Sequence, residues 1–215
     1  TDVPGSVPEA LEGPDKEEWS ASLIKEVKVH IKNGVFGPKL DKMPPGFRGL
    51  VFDCVLKRKR DGKIKTRGIV KGFQLSQGID YNETFAPVPV ITTIRLMFAL
   101  AANFDWEIKA GDVESVFLSA DMENEVYVLV PDWFSENSDP TDTGTSIRRA
   151  NKCVNGVPPG PRQFHKKIRM TTTDLNLKQC KSDYSLYYCN ERRIYLIVWV
   201  DDIFLFFPTE SMPAA

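Results

Sequence analysis

Two adjacent aspartates, Asp201 and Asp202, lie inside the most apolar stretch of the chain, from Ile194 to Phe207. An unpaired buried carboxylate is costly, so this pair requires a turn, a positively charged partner or a cation. The β-branched and aromatic flanks predict two short strands with the acidic pair at the turn between them. Adjacent carboxylates repel each other, and their hard oxygens suit Mg²⁺ or Mn²⁺. The alternative is a solvent-exposed Asp-Asp turn in an ordinary β-hairpin.

Positive charge is concentrated in a second predicted hairpin, from Leu50 to Phe73, which turns at Asp61-Gly62. Between Lys57 and Lys71 a single acid, Asp61, opposes eight basic residues: Lys57, Arg58, Lys59, Arg60, Lys63, Lys65, Arg67 and Lys71. Cations spaced along two strands can neutralise phosphates, either of a nucleic-acid backbone or of a triphosphate. The alternative is an edge hairpin that lysines protect against aggregation.

A third acid, Asp112, is predicted at the end of a strand that runs from Trp106 to Val113. Phosphoryl transfer with two metal ions needs carboxylates that bridge both cations and cationic side chains that hold the leaving pyrophosphate. Asp112, the Asp201-Asp202 pair and the basic hairpin can supply that arrangement if the fold brings them together.

The composition bounds the fold class without identifying a function. With 215 residues, 42% of them hydrophobic and 11% aromatic, the chain can bury a core as one large domain or as two lobes. The net charge of -1 gives no overall attraction to nucleic acid or lipid. The four cysteines form no CxxC pair, which favours reduced thiols over a disulfide framework. The aspartates interrupt the longest apolar run, so no membrane partner is expected.

Local patterns predict the elements that must position these residues. Helices are predicted where apolar residues repeat every three or four positions: Asp15 to Asn33, Ile94 to Asn103 after a cap at Thr92 or Thr93, and Pro161 to Leu177. In the first helix the predicted apolar face consists of Trp19, Leu23, Val27 and Ile31. Residues 1–14 are predicted to be an extended lead-in, Glu125 to Val130 a short strand, and Asp132 to Thr145 a surface loop.

A series of short motifs extends this pattern to most of the chain from Trp19 onward. The segments are Lys65-Thr-Arg-Gly-Ile-Val-Lys-Gly-Phe73, Gln77-Gly-Ile-Asp-Tyr-Asn-Glu-Thr-Phe-Ala-Pro-Val88, Thr93-Ile-Arg95, Asp112-Val-Glu-Ser-Val-Phe-Leu118, Glu125-Val-Tyr127 with Pro131, Gly156 with Pro161-Arg162, and Val198-Trp-Val-Asp-Asp-Ile203. In this order they resemble KARLVAKGF, GIDYxETFAPV, TIR, DVKTAFL, EEVYMxxP, YGLKQAPRxW and VYVDDI of the reverse transcriptase of copia-type long-terminal-repeat retrotransposons.

The resemblance implies an α+β right-hand polymerase fold, with an antiparallel palm sheet packed on helices and a basic fingers hairpin. Fingers are expected over about 15–90 and palm over about 91–215, with the thumb, connection and RNase H regions absent. The implied activity is that of an RNA-directed DNA polymerase, a nucleotidyltransferase that joins a dNTP to a primer 3′-hydroxyl. Implied partners are an RNA template, a DNA primer, and the integrase and RNase H of the Pol polyprotein. The implied location is intracellular, in a cytoplasmic virus-like particle.

The resemblance also assigns roles to the acids. Asp112, Asp201 and Asp202 match the family's catalytic aspartates, which bind two Mg²⁺ or Mn²⁺ ions.

The same matching assigns nucleotide contacts. Lys65, Arg67 and Lys71 match basic residues of the fingers strands that touch the incoming triphosphate. Phe117 matches the aromatic residue that leaves no room for a ribose 2′-hydroxyl. The alternative for Phe117 is a core aromatic beside the metal-binding strand.

Several departures from the family motifs predict weakened activity. Val116 replaces an alanine and adds bulk where the nucleotide sugar lies, and Pro159 replaces a glutamine and stiffens its loop. Trp199 replaces a tyrosine, and Gly68 replaces a leucine inside a strand. With a chain that ends at Ala215, these changes predict a truncated, partly decayed polymerase domain. The alternative is a catalytically inactive, nucleic-acid-binding remnant of the same fold.

Overall fold

The computed structural model describes residues 3–78, 80–138 and 144–209, and the chain divides into two compact units. The first unit comprises Thr1–Thr84 and Phe117–Gln163, and the second comprises Phe85–Val116 and Phe164–Ala215. Each unit is therefore assembled from two separate segments of the chain. A five-stranded sheet lies in each unit, so the predicted α+β class is confirmed.

Helices and strands alternate irregularly along the chain. In order, the α-helices are α1 (Val7–Glu12), α2 (Lys16–Lys32), α3 (Ile91–Asn103), α4 (Asp132–Ser138) and α5 (Gly160–Asp174). The strands are β1 (Phe36–Leu40), β2 (Gly49–Arg58), β3 (Ile64–Val70), β4 (Trp106–Asp112), β5 (Tyr127–Val130), β6 (Ser146–Ala150), β7 (Lys178–Gln179), β8 (Leu186–Cys189), β9 (Ile194–Trp199) and β10 (Asp202–Pro208). Short 3₁₀ turns occur at Gly72–Gln74 and Phe117–Ser119.

The sheet of the first unit has the strand order β1-β6-β5-β2-β3. The β2–β3 hairpin forms as predicted, because Gly62 adopts φ +82° and allows the N–H of Lys59 to donate to the Lys63 carbonyl at 2.8 Å. β2 also pairs with β5 in parallel, and β1 pairs with β6. Those long-range pairings and the strands β1 and β6 were not predicted from the sequence.

Helix α2 confirms most of its predicted apolar face. Trp19, Leu23 and Val27 are buried, but Ile31 is 51% exposed and His30 is buried instead. A four-residue step overshoots one helical turn of 3.6 residues by about 40°, so a face that follows every fourth residue rotates out of the core. The buried stripe therefore moves back by one residue at the end of the helix.

Two segments predicted to lack regular structure contain short helices. Helix α1 corrects the extended lead-in, because Ser6 caps it by accepting a hydrogen bond from the N–H of Glu9. Helix α4 corrects the first half of the loop predicted from Asp132 to Thr145. Phe134 of α4 is buried, with its ring centroid 5.4 Å from that of Phe52. Residues 139–143 of that loop lie outside the described residues.

The second unit contains an antiparallel sheet with the order β4-β10-β9-β8-β7. Met97 and Ala101 of α3 pack against Ile197 and Phe206 of this sheet. Helix α3 begins at Ile91, before the threonines that were predicted to cap it. Val90, at the N-cap position, makes no side-chain capping hydrogen bond. The carboxylate of Asp183 accepts the backbone N–H of Val90 at 2.9 Å.

The four cysteines are free thiols. Burial raises the pKa of both Cys54 and Cys153 to about 12, so these two stay protonated and unreactive at neutral pH. In the part of the chain that the structure describes, no helix has the length and apolar character needed to span a membrane.

Candidate active site

The acidic pair lies at the turn between β9 and β10, as predicted from the sequence. Asp201 is in the turn, Asp202 is the first residue of β10, and the register places Asp202 opposite Trp199. Val200 adopts φ +55°, a left-handed conformation that is uncommon for a β-branched residue. The turn is therefore tight, and both aspartates are exposed.

The third predicted acid lies next to this pair. Asp112 is the last residue of β4, and its Cα is the register partner of the Asp202 Cα. The N–H of Val113 donates to the carbonyl of Asp201 at 2.7 Å. Hydrogen-bonded and closer non-hydrogen-bonded pairs alternate along antiparallel strands, so Asp112 and Asp202 form a closer pair, with Cα atoms about 4.5 Å apart. Their side chains start from the same face of the sheet.

Two acids at these opposite positions form an unfavourable pair unless a cation lies near them. Like charges directly opposite across two strands destabilise a sheet. Among the described residues, no Lys, Arg or His side chain forms an ion pair with Asp112, Asp201 or Asp202. Exposed carboxylate oxygens in this arrangement are the donor type that Mg²⁺ and Mn²⁺ prefer.

The grouping of the acids is nevertheless incomplete. Within residues 3–78, 80–138 and 144–209, no group of three or more His, Cys, Asp and Glu side chains is arranged so that it could hold a metal ion. The strand register thus places two predicted ligands, Asp112 and Asp202, at opposite positions on neighbouring strands, with Asp201 adjacent in sequence. Their donor chemistry fits a divalent cation.

The basic hairpin presents a charged face to solvent. Helix α2 lies along β3, where Ser22 accepts the N–H of Thr66 at 3.1 Å and Glu26 accepts the N–H of Gly68 at 2.8 Å. Thr66 and Gly68 are buried. Because side chains alternate along a strand, Lys65 and Arg67 project from the opposite, exposed face. Neither side chain has a hydrogen bond or ion pair with another described residue.

Lys57 joins this face, a role that sequence reasoning did not single out. Its Cα is the register partner of the Lys65 Cα, so two ammonium groups start directly opposite each other on the exposed face. Like charges in that position favour a bound anion. The signal was the Asp61-Gly62 turn, which determines the pairing of the two strands once its loop length is known.

Lys71 differs from the other predicted nucleotide contacts. Its Nζ lies 2.9 Å from a carboxylate oxygen of Asp53, and both side chains are about 40% exposed. Lys71 therefore already has an acidic partner, which an incoming phosphate would have to displace. Sequence reasoning missed Asp53, because the pairing depends on the strand register alone.

Phe117 is the first residue of a 3₁₀ turn and is half-buried. Its ring lies against Gly160, where an added Cβ would be 3.5 Å from Cδ1 of Phe117. Next to Gly160, Arg162 forms an ion pair with Glu83 at 2.5 Å, which joins two of the motif segments. The first turn of α5 is thus fixed beside the Phe117 ring.

The residues that depart from the family motifs differ in their burial and in their surroundings. Val116 is buried, at 7% exposure, and Trp199 is 43% exposed at the end of β9. Gly68 lies where an added Cβ would be 2.6 Å from Phe52 and 2.8 Å from His30. A leucine side chain at position 68 would overlap these two rings, so only glycine fits there.

The predicted site residues fall in both units of the chain. The three acids are in the second unit, while Lys65, Arg67, Lys71 and Phe117 are in the first.

Comparison with known proteins identifies the family. A family model described as reverse transcriptase (RNA-dependent DNA polymerase) matches residues 38–212. The retrovirus-related Pol polyprotein from transposon TNT 1-94 of Nicotiana tabacum is 32% identical over 210 residues, which are 94% of this chain and 15% of that protein. The corresponding polyproteins from transposons RE2 and RE1 of Arabidopsis thaliana are 28% and 27% identical over 206 residues, which are 91% of this chain and 14% of each.

The chain thus spans only about 15% of the length of these relatives. The matched family segment includes Asp112, Asp201 and Asp202 as well as the basic hairpin. The chain belongs to the reverse transcriptase family, and within it to the copia-type retrotransposon enzymes that its motifs resemble.

Proposed function

We propose that this chain is the polymerase domain of a copia-type element and transfers a nucleotidyl group from a dNTP to a primer 3′-hydroxyl on an RNA template. The observation that carries the proposal is the pairing of Asp112 with Asp202 on neighbouring strands of one sheet. Family membership supports the same activity. We assign residues of about 15–90 to fingers and of about 91–215 to palm.

Asp112, Asp201 and Asp202 are the residues that would hold two Mg²⁺ or Mn²⁺ ions. Bound there, the ions neutralise charge on the phosphates and lower the pKa of the attacking hydroxyl. The carboxylates orient the reacting groups, because the hairpin turn and the β4–β10 register restrict where their oxygens can lie.

The cations and the aromatic residue of the first unit act on the nucleotide. Lys65 and Arg67, joined by Lys57, bind phosphate oxygens. Lys71 contributes less, because Asp53 already neutralises it. The ring of Phe117 excludes a ribose 2′-hydroxyl. Gly160, which has no side chain, leaves room for that ring.

The test is primer extension with a homopolymeric RNA template, an oligodeoxynucleotide primer and Mg²⁺ or Mn²⁺. We expect extension by the unaltered chain and a loss of at least about a hundredfold in Asp112→Asn and Asp201→Asn. Asp105→Asn is the matched control, because it removes the same charge at the other end of β4. Extension that survives in Asp112→Asn would rule out the proposed site.

The basic face is tested separately by the KM for the dNTP. We expect Lys65→Ala and Arg67→Ala to raise KM by about tenfold each, since each removes a charge-assisted contact. Lys71→Ala should have a smaller effect. An equal effect for all three variants would show that Asp53 does not hold Lys71 in the complex.

The second candidate is a nucleic-acid-binding remnant that does not polymerise. The exposed cations of the hairpin favour it, because they bind a phosphate backbone whether or not the acids hold metal. Binding that weakens steeply with salt, without extension by the unaltered chain, would identify this function.

Partners beyond the chain follow from its relatives. We propose that in an intact element the chain is part of a Pol polyprotein, beside integrase and RNase H, in a cytoplasmic virus-like particle. Co-sedimentation of the chain with particle-associated RNA would test this placement.

A further inference from the structure

Strand β4 is an open edge of the sheet in the second unit. It lies at one end of the order β4-β10-β9-β8-β7, and among the described residues it pairs only with β10. Every residue of β4 after Trp106 is exposed. An unpaired edge of this length presents backbone N–H and C=O groups to which another strand can pair.

The direction of these backbone groups follows from one hydrogen bond. Because the N–H of Val113 bonds to Asp201, the odd-numbered residues of β4 point their N–H and C=O groups toward β10. The even-numbered residues Trp106, Ile108 and Ala110 therefore point theirs outward.

Strand β3, an edge strand of the sheet in the first unit, has outward N–H groups that are hydrogen-bonded within the chain. At β3 the outward N–H groups of Thr66, Gly68 and Val70 are accepted by Ser22, by Glu26 and by the carbonyl of residue 155, respectively. The outward N–H groups of β4 have no acceptor in the described part of the chain. One edge is thus covered from within the chain, and the other is left open.

When two copies of β4 pair antiparallel, the acidic residue of each strand can lie opposite the basic residue of the other. Glu107 and Lys109 flank Ile108, and both are exposed. In an antiparallel pair of two β4 strands centred on Ile108, each Glu107 lies opposite a Lys109. Centring on Lys109 would place the two lysines opposite each other, and centring on Ala110 would place Lys109 opposite Gly111.

The hydrogen-bond pattern agrees with this register. Centring on Ile108 makes Ile108 a hydrogen-bonded pair with its own copy, as its outward groups require. The Glu107–Lys109 pairs then occupy the non-hydrogen-bonded positions, where Cα atoms are about 4.5 Å apart and side chains meet most closely.

Apolar surface beside this edge supports the same pairing. Ile108 is 38% exposed, and Phe104, which stacks on Trp106 with centroids 5.7 Å apart, is 58% exposed. A second copy centred on Ile108 covers that side chain. The same register places Phe104 of one copy opposite Asp112 of the other, just beyond the paired residues 106–110.

We propose that β4 pairs antiparallel with β4 of a second copy of this chain about a two-fold axis at Ile108. The result is a closed homodimer whose sheet is continuous across the axis. This interaction is independent of the proposed polymerase activity.

Sedimentation equilibrium over a range of chain concentrations tests the proposal. The unaltered chain dimerises, and either Glu107→Lys or Lys109→Glu weakens dimerisation by about tenfold or more, because each change puts two like-charge pairs across the axis. The double variant, with both changes, restores the dimer. Glu191→Lys, an exposed change of the same charge in the same unit, leaves dimerisation unchanged.

Cross-linking tests the register. Glu107→Cys chains mixed with Lys109→Cys chains form a covalent heterodimer on mild oxidation, because the two introduced thiols lie opposite each other while one Glu–Lys pair is kept. The unaltered chain, with its own cysteines, supplies the background. A monomer at every soluble concentration, open-ended aggregates, or a double variant that stays monomeric would each overturn the proposal.

Discussion

Replacing Asp202 by asparagine removes one of the two acids that lie at opposite positions at the ends of β4 and β10. Without metal, the repulsion between Asp202 and Asp112 opposes folding. We therefore expect the Asp202→Asn variant to be more stable than the unaltered chain in metal-free buffer.

The size of this effect follows from the strand register. Two unit charges about 5 Å apart in water repel by about 0.8 kcal/mol, and measured cross-strand pairs contribute about 0.2–1 kcal/mol. The free energy of unfolding should therefore rise by roughly 0.5–1 kcal/mol at low ionic strength. In about 1 M salt, where the Debye length is near 3 Å, most of the difference should disappear.

Divalent metal should reverse the order of stability. A cation that binds only the folded chain stabilises it by about 1.4 kcal/mol at tenfold its Kd. The unaltered chain should gain this stability and Asp202→Asn should gain much less. Urea unfolding with and without Mg²⁺, at low and high salt, measures all the terms.

Asp41→Asn is the control for charge alone, because Asp41 is exposed and has no ion pair with a described residue. If Asp202→Asn changes stability no more than this control, or if its effect is independent of salt, the two acids do not lie at opposite positions as described.

Three further predictions concern a close contact, a hydrogen-bonded carboxylate and a buried histidine, each within one unit. Gly68→Ala should lower the free energy of unfolding by about 1–3 kcal/mol in urea titrations, because the new Cβ would lie 2.6 Å from Phe52 and 2.8 Å from His30; an unchanged midpoint would contradict this contact. Asp183→Ala should cost about 2 kcal/mol in thermal unfolding, because its carboxylate accepts two backbone N–H groups at 2.9 Å, and Asp183→Asn should cost less. Burial lowers the pKa of His30 below its ordinary 6.5, so below that pH the unfolded chain binds more protons than the folded chain. Stability should fall as the pH drops from 6.5, and His30→Gln should flatten this dependence, as measured by urea unfolding at successive pH values.

Local signals in the sequence predicted the hairpins well. The Asp61-Gly62 turn identified β2 and β3, and the apolar run around Asp201 and Asp202 identified β9 and β10. Helix α1 had a local signal as well, since Ser6 and Glu9 have capping-box spacing, but the prolines and glycines of this segment favoured an extended chain. Strands β1 and β6 depend on pairing with distant residues, which no local pattern encodes.

The candidate site was predictable as residue types and only partly as geometry. The motifs identified Asp112, Asp201 and Asp202, and the strand register places Asp112 opposite Asp202 rather than opposite Asp201. The partners of the predicted residues were invisible, because Asp53 reaches Lys71 across a strand pair and Glu83 reaches Arg162 from far along the sequence.

The division of each unit between two chain segments has a consequence for synthesis on the ribosome. The first unit needs Phe117–Gln163, so the nascent segment up to Thr84 must wait for them while part of the second unit emerges between. At about 5–20 residues per second, translation from Thr84 to Gln163 takes roughly 4–16 s. Until Val130 is translated, roughly 2–9 s after Thr84, β2 and β3 exist without β5, their parallel neighbour. A nascent chain that is arrested before Val130 contains an incomplete sheet. We expect chaperones to bind such a chain more strongly than a chain released past Gln163.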